Sequence, residues 1–226
     1  MPTSEQCSAL ARYDTCTLAN AIEMLELRLR NEGFTHPGLA CRTGLHPATV
    51  GHAVTVKVKT ANAPTMGQSY FDRTDLWNLI LATPAPRVAV IEDIDQPPGT
   101  GAYIGEIHAN IFRALDCQAV VTNGSVRDLD AVEAMSYPLY SCSVSPSHAY
   151  THITELGVPV QVCALEVKQG ELVAVDRHGM ITLPSAGLEH VLEAAARLTE
   201  REREVIDICR QPHFNAGKLR EALWRL

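Results

Sequence analysis

Arg127 and Asp128 stand side by side at the end of an apolar run, Gln118-Ala119-Val120-Val121, which continues into Thr122-Asn123-Gly124-Ser125-Val126. In that position an aspartate can hold a hard divalent cation while an arginine grips an anionic oxygen. Magnesium keeps several of its waters and often takes only one or two carboxylates, so a single aspartate suffices. The same pair also fits a plainer role, an N-cap aspartate beside a surface cation, and spacing does not choose between them. A second segment, Gly99-Thr100-Gly101-Ala102-Tyr103-Ile104-Gly105, follows a strand and opens a helix. Its G-x-G-x-x-x-G spacing is one residue longer than the dinucleotide fingerprint. The next strand ends in Asn123-Gly124, where a ribose-binding unit needs an acid. A nicotinamide or methyl-donor site is therefore not expected. The free N–H groups at Gly105, Glu106, Ile107 and His108 can still bind a carboxylate or phosphate at the helix start, although an ordinary loop-to-helix turn would read the same way.

His148 and His152 are four residues apart, and Glu155 follows three later. On a helix starting near Ser147 they would share a face and could ligate zinc. A polar connecting helix near an edge or interface is the simpler reading. His178 sits in a tight turn with no metal role expected. No G-x-S-x-G, H-E-x-x-H or phosphate-binding loop occurs. The seven cysteines are odd in number, and no two form C-x-x-C. Cys117, Cys142 and Cys163, in apolar surroundings, are expected to be buried inert thiols.

The elements that must position these residues are readable from their periodicity. Asp14-Thr15-Cys16-Thr17 caps a helix carrying Leu18, Ala21, Ile22 and Leu25. Val54, Val56 and Val58 alternate with polar residues as a half-buried strand, and a helix is expected from Asp72 to Leu81. Arg87 to Glu92, Gln118 to Val121 and Pro138 to Val144 read as strands, with helices from about Gly105 to Leu115 and through Val132 and Met135. Strand, helix, strand, helix, strand with short links implies parallel pairing and right-handed crossovers. The loops Gly99–Gly105 and Asn123–Asp128 then fall at the carboxyl edge of the sheet, where open α/β sheets carry their sites. Further β segments are expected at Val158 to Leu165, Leu172 to Val175 and Met180 to Leu183. Two terminal helices follow, one through Leu188, Val191, Leu192, Ala195 and Leu198, the other with Leu219, Ala222, Leu223 and Leu226 on one face and Trp224 beside it. Glu200-Arg201-Glu202-Arg203-Glu204 reads as a solvated helical face.

The chain's 226 residues suffice for one domain spanning 1–226, able to hide roughly 70–75% of the surface its unfolded form exposes. Nineteen basic against twenty-six acidic residues leave a net charge of −7, which argues against a nucleic-acid binder. No stretch approaches a membrane span. The cysteine pattern and an opening without a basic start and apolar run read as a reduced, cytoplasmic protein.

Gly105-Glu106-Ile107-His108 followed by Asn123-Gly124-Ser125-Val126-Arg127-Asp128 resembles the RraA-like family, which includes divalent-metal-dependent 4-hydroxy-4-methyl-2-oxoglutarate aldolases and proteins once labelled demethylmenaquinone methyltransferases. Asp14 to Ile22 is similar to its opening helix, Gly51 to Val56 to its first core strand and Gly170 to Gly179 to its late hairpin. The resemblance implies an α/β fold, a single β/β/α swivelling-type (phosphohistidine-domain-like) domain with helical N- and C-terminal extensions, assembled as a homotrimer or homohexamer. It implies that the carboxylate of pyruvate rests on the backbone from Gly105 to His108. Arg127 would contact the keto oxygen or enolate, and Asp128 would anchor Mg²⁺ or Mn²⁺ largely through water. His108 departs from the apolar residue usual in relatives. The implied activity is that of a class II pyruvate aldolase cleaving a small anionic 2-oxo acid, with possible oxaloacetate decarboxylation. Non-catalytic members that restrain a ribonuclease are the alternative.

Overall fold

The computed structural model describes residues 2–44, 46–65 and 72–223. Its centre is a mixed sheet built on the long strand β2. In chain order the elements are α1 (Ser4–Leu10), α2 (Thr15–Met24), β1 (Ala40–Cys41), β2 (Thr49–Lys59), α3 (Arg73–Ala82), β3 (Arg87–Asp93), β4 (Ala102–Ile104), α4 (Glu106–Ala114), β5 (Cys117–Val126), α5 (Leu129–Ala134), β6 (Leu139–Val144), β7 (His152–Leu156), β8 (Val160–Val162), β9 (Leu165–Val167), β10 (Leu172–Asp176), β11 (Gly179–Thr182), α6 (Leu188–Cys209) and α7 (Ala216–Leu223). The nine-stranded sheet runs β1-β6-β5-β3-β2-β10-β11, with β4 beside β5 and β7 beside the far half of β2. β2, β3, β5 and β6 are parallel neighbours, as short strand–helix–strand links require. The hairpin β10–β11 turns at Asp176–Gly179 and lies antiparallel to β2.

The expected half-burial of β2 is corrected: both of its faces are covered. Val54, Val56 and Val58 pack with Leu76, Ile80, Phe112 and Val132 under α3, α4 and α5. On the opposite face, Ala53 joins Val88, Val90, Val121, Val173 and Val175 beneath the small β8–β9 hairpin, which contributes Val160, Val162, Leu165 and Val167. Side chains of a strand alternate between faces, so a central strand in a layered fold buries both sets. A third cluster joins the terminal helices to the sheet margin: Leu10, Leu18 and Ile22 meet Leu188, Val191, Ala194 and Ala195. Asp14 caps α2 by accepting from Thr17 N, and buried Asp176 reaches across from β10 to accept from Thr15 N at 2.7 Å and Thr15 Oγ1 at 2.8 Å. Beyond Leu198, α6 runs out into solvent, and Glu200 to Glu204 are exposed as expected.

Three further expectations need correction. β5 continues through Asn123 and Gly124 to Val126, so only Arg127 and Asp128 form the turn after it. Cys142 and Cys163 are half-buried and face each other, and of the three thiols expected in the core only Cys117 is fully enclosed. His148 to Thr151 form a turn, not a helix, and His152 starts β7. The β-branched Ile153 and Thr154 favour that strand, which pairs Lys59 with His152 and Lys57 with Glu155 on β2.

Candidate active site

Asp128 occupies the N-cap position of α5 but does not cap it. Its backbone is left-handed (φ 56°, ψ 39°), uncommon for a residue with a Cβ and tolerated best by Asp and Asn. The carboxylate turns away from α5: Oδ2 accepts from Glu106 N at 3.1 Å and lies 3.4 Å from Arg127 Nε. Oδ1 accepts no hydrogen bond among the described residues. The plain capping role that the sequence left open is therefore not the one adopted.

The neighbouring elements lock this arrangement. Arg127 N donates to Ile104 O at 2.9 Å, which ties the end of β5 to the end of β4. Gly105 follows as the N-cap of α4, and a larger residue there would have to displace the Asp128 carboxylate. A Cβ would collide with Asp128 Oδ2 and come within 3.0 Å of Arg127 Cγ. Helix geometry leaves the first-turn N–H groups without intrahelical acceptors. Glu106 N is taken by Asp128, while those of Ile107 and His108 keep the partial positive charge of the helix end. The helix holds its place through Ala109 and Phe112, both buried. His108 stacks at 5.0 Å between ring centroids on Tyr103 and meets the edge of Phe112.

Behind this shell lies a hydrogen-bonded frame that sequence reading did not single out. Asp93, buried at the end of β3, accepts from Gly99 N at 2.7 Å and Thr60 Oγ1 at 3.0 Å through Oδ2, and from Asp95 N through Oδ1. Asn123 brackets the Asp93 backbone, its Oδ1 accepting from Asp93 N at 2.7 Å and its Nδ2 donating to Asp93 O. Thr60 Oγ1 in turn accepts from Gly101 N, and Ser125 Oγ donates to Gly99 O at 2.6 Å. Gly99 has φ +92°, and a Cβ there would press on Ser143 Oγ. Loop 94–101 is thus pinned by Thr60 just beyond β2 and by β3 and β5. The available signal was a buried acid at a strand end followed by a Gly/Pro-rich loop, which requires something to hold the loop's N–H groups.

Gly105, Ile107, His108, Arg127 and Asp128 come together on one cavity of about 220 Å³, with Ala102, Tyr103 and His148 completing its wall. Glu106 reaches it only through its N–H bond to Asp128. Arg127 and Asp128 keep 33% and 38% of their side chains exposed, so both can meet a ligand from solvent. A larger cavity of about 480 Å³ adjoins it, sharing Ala102, Tyr103, His108 and His148 and adding Tyr150, Thr151 and His152. His148 Nδ1 lies 3.2 Å from Ala149 O and His152 Nδ1 2.8 Å from Tyr150 O, while Glu155 pairs with Lys57 at 3.3 Å. The three-residue zinc face is therefore not formed. His178 instead lies beside Asp176, 3.1 Å away. Among the described residues no three His, Cys, Asp or Glu side chains group around a common point. Asp128 is the one acid lining this cavity among the described residues, and with Oδ1 open it suits a largely hydrated Mg²⁺ or Mn²⁺ held at a single carboxylate.

The profile of the RraA-like family (Aldolase/RraA) matches residues 15–182. The chain belongs to the RraA-like family. An uncharacterized protein of Methanocaldococcus jannaschii is 23% identical over 159 residues, covering 69% of this chain and 70% of that protein. A provisionally named 4-hydroxy-4-methyl-2-oxoglutarate aldolase of Halalkalibacterium halodurans is 25% identical over 113 residues, 48% of this chain and 54% of that one. Among solved structures, an uncharacterized protein from Pseudomonas syringae pv. tomato superposes with a TM-score of 0.73 at 20% identity, covering 97% of each chain. Streptomyces coelicolor RraAS2, described as an unusual member of the RNase ES inhibitor RraA family, gives 0.69 at 20% identity over 89% of this chain and 96% of that one. These likenesses establish a shared mixed α/β fold; the family itself holds both aldolases and non-catalytic regulators.

Proposed function

We propose that this RraA-like chain is a divalent-metal-dependent lyase that forms and protonates a pyruvate enolate. Its reaction would be retro-aldol cleavage of a 4-hydroxy-2-oxo acid such as 4-hydroxy-4-methyl-2-oxoglutarate, with oxaloacetate decarboxylation as a second outlet of the same enolate. The single observation that carries this reading is the turning of Asp128 away from its helix. That turn places a carboxylate, a guanidinium and a helix N-terminus on one small cavity. In this reading the substrate carboxylate rests at the start of α4, on the N–H groups of Ile107 and His108, with Gly105 keeping the approach open. Arg127 donates to the 2-oxo oxygen, where negative charge grows as the C–C bond breaks, and such a donor works best when fixed beforehand. Asp128, with Oδ1 open, would hold Mg²⁺ or Mn²⁺, and such an ion would supply Lewis-acid stabilisation of developing oxygen charge. The adjoining cavity by Tyr103, His148 and Tyr150 has room for the departing keto fragment. The chain is read as one unit of the β/β/α swivelling type.

Pyruvate release from 4-hydroxy-4-methyl-2-oxoglutarate and from oxaloacetate, measured before and after dialysis against a chelator, tests this directly. Activity should disappear with the ion and return on adding Mg²⁺ or Mn²⁺. Full turnover in metal-free protein would remove the proposed role of Asp128. Absence of pyruvate under every condition would favour a non-catalytic regulator.

A further inference from the structure

Cys142 and Cys163, twenty-one positions apart, bring their Sγ atoms to 2.8 Å. Cys142 lies on β6, and Cys163 occupies the two-residue turn that joins β8 to β9. Both are half-buried, and Cys41, which pairs with Tyr140 two residues before Cys142, borders the same apolar cluster as Cys163. The turn is unusual in its residues. Cys163 and Ala164 both have positive φ, 45° and 65°, in a hairpin turn where Asn and Gly are the ordinary occupants. A side chain kept in left-handed backbone against its preference calls for a functional explanation. Here that backbone aims Cys163 at β6. The surroundings differentiate the two sulfurs. Arg42 donates to Ser141 O at 2.9 Å, next to Cys142, and His36 N holds Cys163 O at 2.8 Å. Hydrogen bonding from the Cys163 thiol, aided by Arg42, draws the Cys142 thiol below its ordinary value, and the same bond together with burial pushes Cys163 up.

We propose that Cys142 and Cys163 are a reversible dithiol–disulfide site that takes a small hydroperoxide as oxidant and clamps the β8–β9 hairpin to the main sheet. Bond formation needs the sulfurs to close by only about 0.8 Å to the ~2.05 Å disulfide length. Cys142, as thiolate, attacks one peroxide oxygen. The O–O bond breaks, hydroxide leaves and takes up a proton as water, and Cys142 becomes a sulfenic acid. The Cys163 sulfur then attacks the Cys142 sulfur. The S–O bond breaks and the oxygen departs as water with the Cys163 proton. Two thiols and one hydrogen peroxide thus give one disulfide and two waters, two electrons passing from sulfur to oxygen. A dithiol reductant reverses the step by exchange at either sulfur. The mechanical consequence falls on the hairpin that roofs Ala53, Val88, Val90 and Val121.

Treating the native protein with hydrogen peroxide, alkylating, and mapping peptides by mass should recover the 142- and 163-containing peptides joined, lighter by two hydrogens, and separable by dithiothreitol. Exposed Cys16 and Cys209 serve as alkylatable controls. In Cys163→Ser, a sulfenic acid at Cys142 should be trapped by dimedone, whereas Cys142→Ser should lose most of the trapping at Cys163. Hydrogen exchange across Val160–Val167 should slow on oxidation and recover on reduction. Recovery of Cys142 and Cys163 as separate alkylated or sulfinic peptides from folded wild-type protein would overturn the proposal, and so would unchanged exchange in the hairpin. The wild-type map decides even where a serine variant fails to fold.

Discussion

At Arg127 the guanidinium does two things: it faces Asp128 at 3.4 Å and keeps a third of its surface open to the cavity. Replacing it with alanine should lower kcat about 10²–10³-fold, roughly 3–4 kcal/mol, the scale of losing one fixed donor to a developing oxyanion. Arg127→Lys should restore little, since an ammonium does not reproduce the planar fork that can meet a carboxylate and an oxyanion together. Steady-state pyruvate release on both variants, with circular dichroism to check folding, decides; near-normal turnover would make Arg127 structural only. Asp128 allows the ion's role to be separated from the backbone's. Asparagine tolerates the left-handed conformation as well as aspartate does and can still accept from Glu106 N. Asp128→Asn should therefore change stability by less than about 1 kcal/mol, within the range of mild substitutions. It should also weaken Mn²⁺ binding, read by isothermal titration or electron paramagnetic resonance of free Mn²⁺. Unaltered Mn²⁺ affinity would place the ion elsewhere.

The elements explain which of these features could be read from the sequence. The parallel strands and their helices were legible because their apolar runs are bounded by Gly, Pro and capping residues, and the structure has them at β3, α4, β5, α5 and β6. Three-residue β4 was not, since Ala102-Tyr103-Ile104 has no period long enough to register, and it exists because β5 extends past Gly124 to pair with it. The same extension moves the turn onto Arg127 and Asp128 alone. Spacing suggested a helical face for His148 and His152, but the edge of β2 offered Lys59 as a partner and the strand won. Asp93 escaped notice because its task, holding two N–H groups of the loop that follows it and the hydroxyl of distant Thr60, is invisible in a linear motif. Asp93→Ala should leave the N–H groups of Asp95 and Gly99 without an acceptor, at about 1–3 kcal/mol for each one that stays buried. As a positioning residue, it should lower kcat by loosening the Gly99–Gly105 segment, with partial rescue by Asp93→Asn. Thermal denaturation and kcat measured on both variants check this; a stability loss in Asp93→Ala with unchanged kcat would confine Asp93 to the fold.

For the molecule as a whole, the terminal helix raises the question of what covers it. The simplest expectation, that its apolar stripe packs on the chain's own core, does not hold for the part described: no residue of α7 is buried, and Leu223 is exposed. Phe214 and Ile206 are exposed nearby. Trp224 and Leu226, the rest of the stripe read from the sequence, lie outside the described residues. Against solvent, the apolar groups of so short a helix would gain little from helix formation, because short helices draw most of their stability from tertiary packing. Burial between subunits would provide that packing, and the family resemblance implies a threefold assembly. The functional unit is therefore expected to be a trimer or a pair of trimers, with a light-scattering mass near three or six times 24.6 kDa. Removing residues 215–226 should lower the assembly state and pyruvate release together, while the core clusters around Val54 and Val88, which take nothing from α7, keep the truncated chain folded. A fully active monomer at micromolar concentration would rule this out and leave α7 packed on α6 alone.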